Sequence, residues 1–173
     1  MKFTKFIIKN FKGIKYAELN LNQLGQGKIF TLVGLNESGK TTILEAINSF
    51  LPDLEAEKLY QNDIFRKVKP KDLVPKHNKD NFSSNVEIDA FIEYSEGDRF
   101  AIKKYFEEQH GLQIDLKRLE PILKVTKQFH FDQSECISQK SLWSISLYVK
   151  KKKERSYKEI GPKNDVWQKA VNY

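Results

Sequence analysis

The chain has a single cysteine, Cys136, among its 173 residues, so an intramolecular disulfide is excluded, and no second Cys or His stands near it at metal-ligand spacing. That thiol reads as a partly buried side chain. No apolar run is long enough to cross a bilayer as a helix. Nor does the start read as a secretory signal: Met1-Lys-Phe-Thr-Lys-Phe6 leads straight into an alternating pattern, without a separate apolar stretch or a small-residue cleavage site. The expectation is a cytoplasmic protein with no membrane partner. Internal repeats are missing, and the only low-complexity stretch is Lys150-Lys-Lys-Lys153. A net charge of +7 permits nucleic-acid binding, yet lysine-rich solvated surfaces are common and charge alone selects no partner. What is present, 39% hydrophobic and 12% aromatic residues, suffices for the core of one substantial domain or part of a larger one.

The segment Gly34-Leu35-Asn36-Glu37-Ser38-Gly39-Lys40-Thr41 reads G-x-x-x-x-G-K-[ST], the pattern of a phosphate-binding loop. It follows a strand-like run at 28–33 and precedes residues 42–51, where Ile43, Leu44, Ile47, Phe50 and Leu51 share a face at helical spacing before Pro52 supplies a stop. That strand–loop–helix setting is what the chemistry needs. Gly34 and Gly39 let the backbone turn with no Cβ in the way, so successive N–H groups point at a polyphosphate held on the helix N-terminus. Lys40 would reach the β- and γ-phosphates and Thr41 would offer its hydroxyl to Mg²⁺. Two such glycines followed by Lys and Ser/Thr arise by chance in a chain of this length on the order of one time in a hundred. The alternative, a glycine turn capped by Ser38 ahead of an ordinary helix, is the weaker reading.

In chain order, residues 2–10 predict a first strand, Asn10-Phe-Lys-Gly13 a turn, and 14–22 its hairpin partner. Gly25-Gln-Gly27 turns into the strand that feeds the loop. Beyond the helix, 53–60 would hold a short helical stretch, and 61–84, with Pro70, Pro75 and many lysines, predicts a mobile loop or linker. From Asn85 the period is two, with Val86, Ile88, Ala90 and Ile92 on one side of a strand and Glu87, Asp89, Phe91 and Glu93 on the other. Ser95-Glu-Gly-Asp98 predicts a hairpin turn, 99–106 the returning strand, and 111–119, 122–131 and 142–149 further strands. Residues 165–173 resemble the start of a helix. The expected fold class is α/β, a mixed sheet around one P-loop helix. Its expected parts are a core over 1–52, a loop or linker over 53–84, an antiparallel β-subdomain over 85–160 and the start of a helical element over 161–173.

The opening Ile7-Ile-Lys-Asn-Phe-Lys-Gly-Ile14, followed by Val33-Gly-Leu-Asn-Glu-Ser-Gly-Lys-Thr-Thr-Ile-Leu-Glu-Ala-Ile47, resembles the N-terminal lobe of the SMC/RecF-like ABC-type ATPases. The asparagine–glutamate form of the loop is most similar to the OLD (overcoming lysogenisation defect) family and related bacterial defence ATPases. The resemblance is strong over 1–51 and architectural from 85 to about 149, where such ATPases carry an antiparallel β-subdomain; the loop between is not covered. It implies a P-loop NTPase fold with ATP and Mg²⁺ as cofactors. Lys12, the basic residue after Asn-Phe, would approach the nucleotide, and Asn36 would lie beside the γ-phosphate, with Glu37 a common variant at the next place. Gly34 would open the loop, and Ser38, Gly39, Lys40, Thr41 and Thr42 would line the phosphates through N–H groups and hydroxyls. In this scheme Lys40 is the catalytic residue and Thr41 the metal ligand.

A complete ATPase of this class needs a hydrophobic strand ending in Asp-Glu, a Ser-Gly-Gly signature and a switch histidine, and the sequence has none of them. His77, His110 and His130 lack the matching context, and Gln61, Gln128 and Gln133 are equal candidates for the Q-loop glutamine. The expectation is therefore an N-terminal portion of a longer ATPase that binds ATP and, without a residue to activate water, hydrolyses it poorly alone. Its implied partners are a C-terminal lobe, a second subunit in a homodimer, and DNA, in repair, genome maintenance or antiviral defence. OLD-type relatives carry a Toprim-like nuclease in the C-terminal part, and no such carboxylate cluster is in these residues. Two other classes stay open: a self-contained phosphotransferase such as a nucleotide kinase, and a non-catalytic nucleotide-dependent interaction module. Lys150–Lys153 with Arg155, Trp143, Tyr148 and Tyr157 would suit phosphate tracking and base stacking. From charge alone, a solvated strand end that protects a sheet edge is the favoured reading.

Overall fold

A computed structural model describes residues 1–22, 31–35, 39–50, 70–161 and 163–171. In chain order the elements are β1 (Lys2–Phe11), β2 (Ile14–Asn20), α1 (Lys40–Phe50), β3 (Asn85–Glu93) and α2 (Glu96–His110). They continue as β4 (Leu112–Ile114), β5 (Ile122–Asp132), β6 (Glu135–Ser144), β7 (Leu147–Lys151), β8 (Lys158–Ile160) and α3 (Asp165–Val171). The chain divides into two compact units, Thr4–Ala90 with Thr126–Leu142, and Met1–Phe3 with Phe91–Val125 and Trp143–Tyr173. A five-stranded sheet has the order β2-β1-β3-β5-β6 and a three-stranded one the order β4-β7-β8.

The Thr4–Ala90 unit is built on period-two strands and one amphipathic helix. β1 and β2 pair antiparallel, with Phe6 opposite Leu19, Ile8 opposite Ala17 and Phe11 opposite Ile14. Side-chain partners between β3 and β5 run in opposite senses, Asn85 with His130, Glu87 with Gln128 and Asp89 with Thr126, so these strands are antiparallel as well. Their apolar faces join in one core of Phe6, Ile8, Phe11, Val86, Ile88, Ala90, Phe129 and Phe131. Onto it α1 lays Ile43, Ala46, Ile47 and Phe50, the i, i+3, i+4, i+7 stripe of a half-buried helix. Phe50 meets Phe6 edge to face at 6.0 Å. Ala46 is buried and Ile43, Ile47 and Phe50 are partly buried, so each of these larger side chains contributes a fraction of the full-burial value of about 1.5–3 kcal/mol, and together this packing fixes where the helix begins.

Of the predicted loop or linker, 53–69 lies outside the described residues, and 70–84 is packed rather than mobile. It holds two short 3₁₀ turns, Pro70–Leu73 and Lys76–Asn78, and buries Leu73, Val74 and Phe82. The apolar residues are few but all point inward, which a count of lysines and prolines hides.

The second unit corrects the expected all-strand reading. Residues 99–106 are not a returning strand but the middle of α2. Ser95 caps that helix, its hydroxyl accepting from the Asp98 N–H while Asp98 accepts from the Ser95 N–H, and Gly111 ends it in a left-handed conformation. Lys103–Glu107 and Lys104–Glu108 add i, i+4 pairs. The predicted strand at 111–119 shrinks to β4, because Asp115 starts a turn by accepting from the N–H groups of Lys117 and Arg118. The single strand predicted at 142–149 is the end of β6 and the start of β7, in different sheets. Phe106, Ile114, Leu147, Val149 and Trp167 are buried in this unit, and the indole N–H of Trp167 donates to the Ile145 carbonyl at 3.1 Å. The fold class is α/β, as the sequence led us to expect.

The α2 cap generates a pH prediction. Asp98 accepts from the Met1 ammonium at 2.6 Å and from the Ser95 hydroxyl and N–H at 2.7 and 2.8 Å. These donors, the ammonium foremost, hold its pKa down to about 2. Because the folded value lies below the unfolded one, the contribution is present above the ordinary carboxylate range and is lost as pH falls toward about 2. In melts across acid pH, Asp98→Asn should lower the midpoint at neutral pH and lose part of the acid-induced drop; parallel curves for the two proteins would contradict the cap.

Candidate nucleotide site

The site begins at the N-terminus of α1, which the core packing holds in place. Gly39 has φ +86°, a conformation that costs any residue with a Cβ, and its carbonyl accepts the first helical bond from Ile43 at 3.0 Å. The first turn of α1 contains no acidic residue, so no carboxylate of that turn competes for the N–H groups that a helix start leaves without intrahelical partners. Lys40, the first helical residue, bends back and donates to the carbonyls of Gly34 at 2.7 Å and Leu35 at 2.5 Å. Thr41 is exposed and Thr42 half-buried on the same turn. The structure thus brings Gly34, Gly39, Lys40, Thr41 and Thr42 together at one helix end. Asn36, Glu37 and Ser38 lie outside the described residues. An ammonium on the loop, two hydroxyls, a positive-φ glycine and an acid-free helix start form a donor set that fits a polyphosphate with its cation.

Residues 28–30 of the strand expected to feed the loop also lie outside the described residues, and Thr31–Leu35 form no strand, which corrects that expectation. An interior strand needs a neighbour on each side, and neither sheet includes these residues. Val33 and Leu35 are 90% and 85% exposed, and Leu44 on the outer side of α1 is 51% exposed.

Lys12 reaches this helix from the β1–β2 turn. Its ammonium donates to the Glu45 carboxylate at 2.7 Å, with the two side chains 20% and 33% exposed. Glu45 is the only carboxylate of α1, and the sequence reading passed over it because nothing in the loop motif points five residues past Lys40. The backbone of Lys12 is held as well, its N–H donating to Leu73 and its carbonyl accepting from Lys76. Its φ is +52° while Gly13 has no positive φ, the pattern of a type II′ hairpin whose first central place ordinarily takes Gly.

The remaining sequence candidates are committed elsewhere. Gln128 donates to Glu87 at 2.7 Å, within a network in which Lys9 bonds Glu87 and approaches the buried Asp89, itself bonded by Thr126. The Glu87 bond, followed by smaller charge effects, keeps the Lys9 pKa raised despite some desolvation. Gln133 sits in the β5–β6 turn, and Gln61 lies outside the described residues. His130 faces Asn85 at 2.8 Å, and His110 packs on Tyr105 and Phe106 with its Nε2 buried and, among the described residues, without a hydrogen-bond partner. Among the described residues no cluster of His, Cys, Asp and Glu suits a metal ion, and no helix is long and apolar enough to cross a membrane.

Residues 1–172 match the family described as the AAA ATPase domain. The chain belongs to that family. Membership makes it a nucleotide-binding ATPase domain. A 103-residue stretch is 37% identical to an uncharacterized protein of Methanocaldococcus jannaschii, covering 60% of this chain and 27% of that relative. The chain therefore matches little more than a quarter of the relative's length. A solved chain from the structural biochemistry of ATP-driven dimerization and DNA-stimulated activation of SMC ATPases is similar at 16% identity and a TM-score of 0.41, over 98% of this chain and 75% of its own.

The Lys12 turn makes a stability prediction for this AAA ATPase domain. Lys12→Ala and Lys12→Gly both lose the ion pair with Glu45, but only glycine relieves the positive φ. Allowing for the larger unfolded-state entropy of glycine, Lys12→Gly should be more stable than Lys12→Ala by about 0.5–1 kcal/mol in urea unfolding. Equal stabilities would mean that the turn does not hold Lys12 in this conformation.

Proposed function

We propose that the chain is the ATP-binding lobe of an SMC/RecF-like ATPase of the OLD type, acting on DNA in genome maintenance or defence against phage. The observation that carries this reading is Lys40 bent onto the carbonyls of Gly34 and Leu35 at an acid-free helix N-terminus. Mg²⁺ bound with ATP would neutralise charge on the γ-phosphoryl group. Lys40 would exchange its two carbonyls for the β- and γ-phosphates, Thr41 would turn its hydroxyl to the metal, and N–H groups from Ser38 to Thr42 would hold the phosphates. Asn36 and Glu37 complete the loop in this assignment. Lys12, steadied by Glu45, would stand by as the further cation of the nucleotide site.

In this reading the Asp-Glu strand that positions and activates water, which the sequence lacks, lies outside this chain, and without it a phosphoryl site turns over slowly. A second lobe bearing the acidic pair, and a second subunit of a homodimer, would provide it. The exposed apolar side chains Val33, Leu35 and Leu44 support this proposal, since they would be covered by such a lobe. So does the greater length of the Methanocaldococcus relative.

Calorimetry of Mg²⁺–ATP binding, paired with a phosphate-release assay, tests the reading on the chain and on Lys40→Ala. Removing a charged donor to phosphate, worth about 1.5–3 kcal/mol, should weaken binding roughly 10- to 100-fold, with release near background for both proteins. Rapid Lys40-dependent turnover by this chain alone would overturn it in favour of a self-contained phosphotransferase.

A further inference from the structure

The β7–β8 hairpin carries cations that edge protection does not explain. In the order β4-β7-β8, β7 is the central strand, so lysines at its end shield no sheet edge. Lys150 and Lys151 close the strand, and Lys152 and Lys153 form the turn after it. Glu154 is the only acid between there and Tyr157, and it is turned inward. Its N–H donates to the Lys151 carbonyl at 2.9 Å and its carboxylate accepts from the Lys151 N–H at 3.1 Å, while Lys158 approaches it at 3.8 Å. Lys151, Lys152, Lys153 and Arg155 are exposed and, among the described residues, have no carboxylate at ion-pair distance. The loop thus spends its acid on its own closure and presents its cations outward.

Two tyrosines on this hairpin decide what those cations suit. The Lys150 ammonium lies 4.8 Å from the centroid of the Tyr157 ring, and the Arg118 guanidinium 5.1 Å from that of Tyr148. Register puts Tyr148 opposite Glu159 and Lys150 opposite Gln113, on the face away from the buried Ile114, Leu147 and Val149. Both rings are half-buried and each has a cation over one face, which leaves less ring surface for an unstacked base than a single-strand stacking platform uses. A duplex keeps its bases stacked and presents one phosphate charge per roughly 1.7 Å, a density that an acidic protein surface does not approach.

We propose that the Lys150–Arg155 hairpin binds the phosphate backbone of duplex nucleic acid, independent of base sequence. This supplies a contact surface for the DNA of the functional reading above and rests on that reading for its biological role. Fluorescence anisotropy of the whole chain with a labelled duplex DNA of about 20 base pairs tests it, in the absence of nucleotide and across a salt series. With each neutralised phosphate contributing about −0.9 to the slope of log K against log salt, Lys152→Gln/Lys153→Gln should flatten the slope by about 2 and weaken low-salt binding about tenfold or more. The charge-matched control Lys103→Gln/Lys104→Gln, whose lysines are paired with Glu107 and Glu108, should stay within about twofold. Equal losses in the two variants, tighter binding of the single strand than of the duplex, or displacement of the duplex by polyglutamate at equal charge would each overturn the proposal. Because nucleotide is absent, failure here leaves the ATP reading standing, and failure to bind ATP leaves this surface standing.

Discussion

The packing of α1 on the sheet is the interaction from which the rest of this structure follows. A helix of 11 residues is marginal by itself in water, so its position comes from tertiary contacts. Ile43, Ala46, Ile47 and Phe50 provide them against the strands that carry Phe6, Ile8, Val86 and Ile88. With that stripe in place, the opposite end of the helix is fixed, and Gly39 and Lys40 sit where N–H groups and an ammonium converge on one spot. The site has no support of its own; it is the free end of a packed element.

A second constraint is backbone strain at two hairpin ends. The non-glycine residues with positive φ among those described are Asn10, Lys12, Gln133 and Ser134, and all lie at or beside the β1–β2 and β5–β6 turns. The segment 70–84 holds both. Leu73 and Lys76 grip Lys12, while the Phe82 carbonyl accepts from the Ser134 N–H, the Phe82 N–H donates to the Ser134 hydroxyl, and the Ser83 hydroxyl accepts from the Gln133 N–H. Asn10 adds an amide bond to the Asn85 carbonyl at 3.0 Å. Each strained residue costs on the order of 1 kcal/mol or more, and such conformations persist where surrounding bonds over-determine them. In the first turn the result is a lysine presented to Glu45 of α1.

The loop motif, the period-two strands β1 and β3 and the stripe of α1 were legible because each is a local pattern with one physical solution. What was not legible depended on partners far along the chain or on local signals with two meanings. Ser95-Glu-Gly-Asp98 satisfies both a hairpin turn and a helix capping box, and only the i, i+4 pairs and Gly111 behind it select the helix. The β5–β6 turn uses Gln133-Ser134 without a glycine, because Phe82 and Ser83 rather than intrinsic preference enforce its geometry, so the first part of β6, 135–141, carries no local signal of its start. Residues 142–149 alternate across a sheet change that no periodicity marks. Lys12 was singled out in the site, yet its partner Glu45 follows from three-dimensional proximity alone.

The central claim, that a packed helix holds a phosphate cradle at its N-terminus, is tested most directly by amide hydrogen exchange of this chain with and without Mg²⁺–ATP. The account predicts slower exchange for Gly39 to Ile43 on adding nucleotide, little change in β3, and no such protection in Lys40→Ala. Unchanged exchange at the start of α1 with nucleotide saturating, or equal protection in the variant, would contradict it.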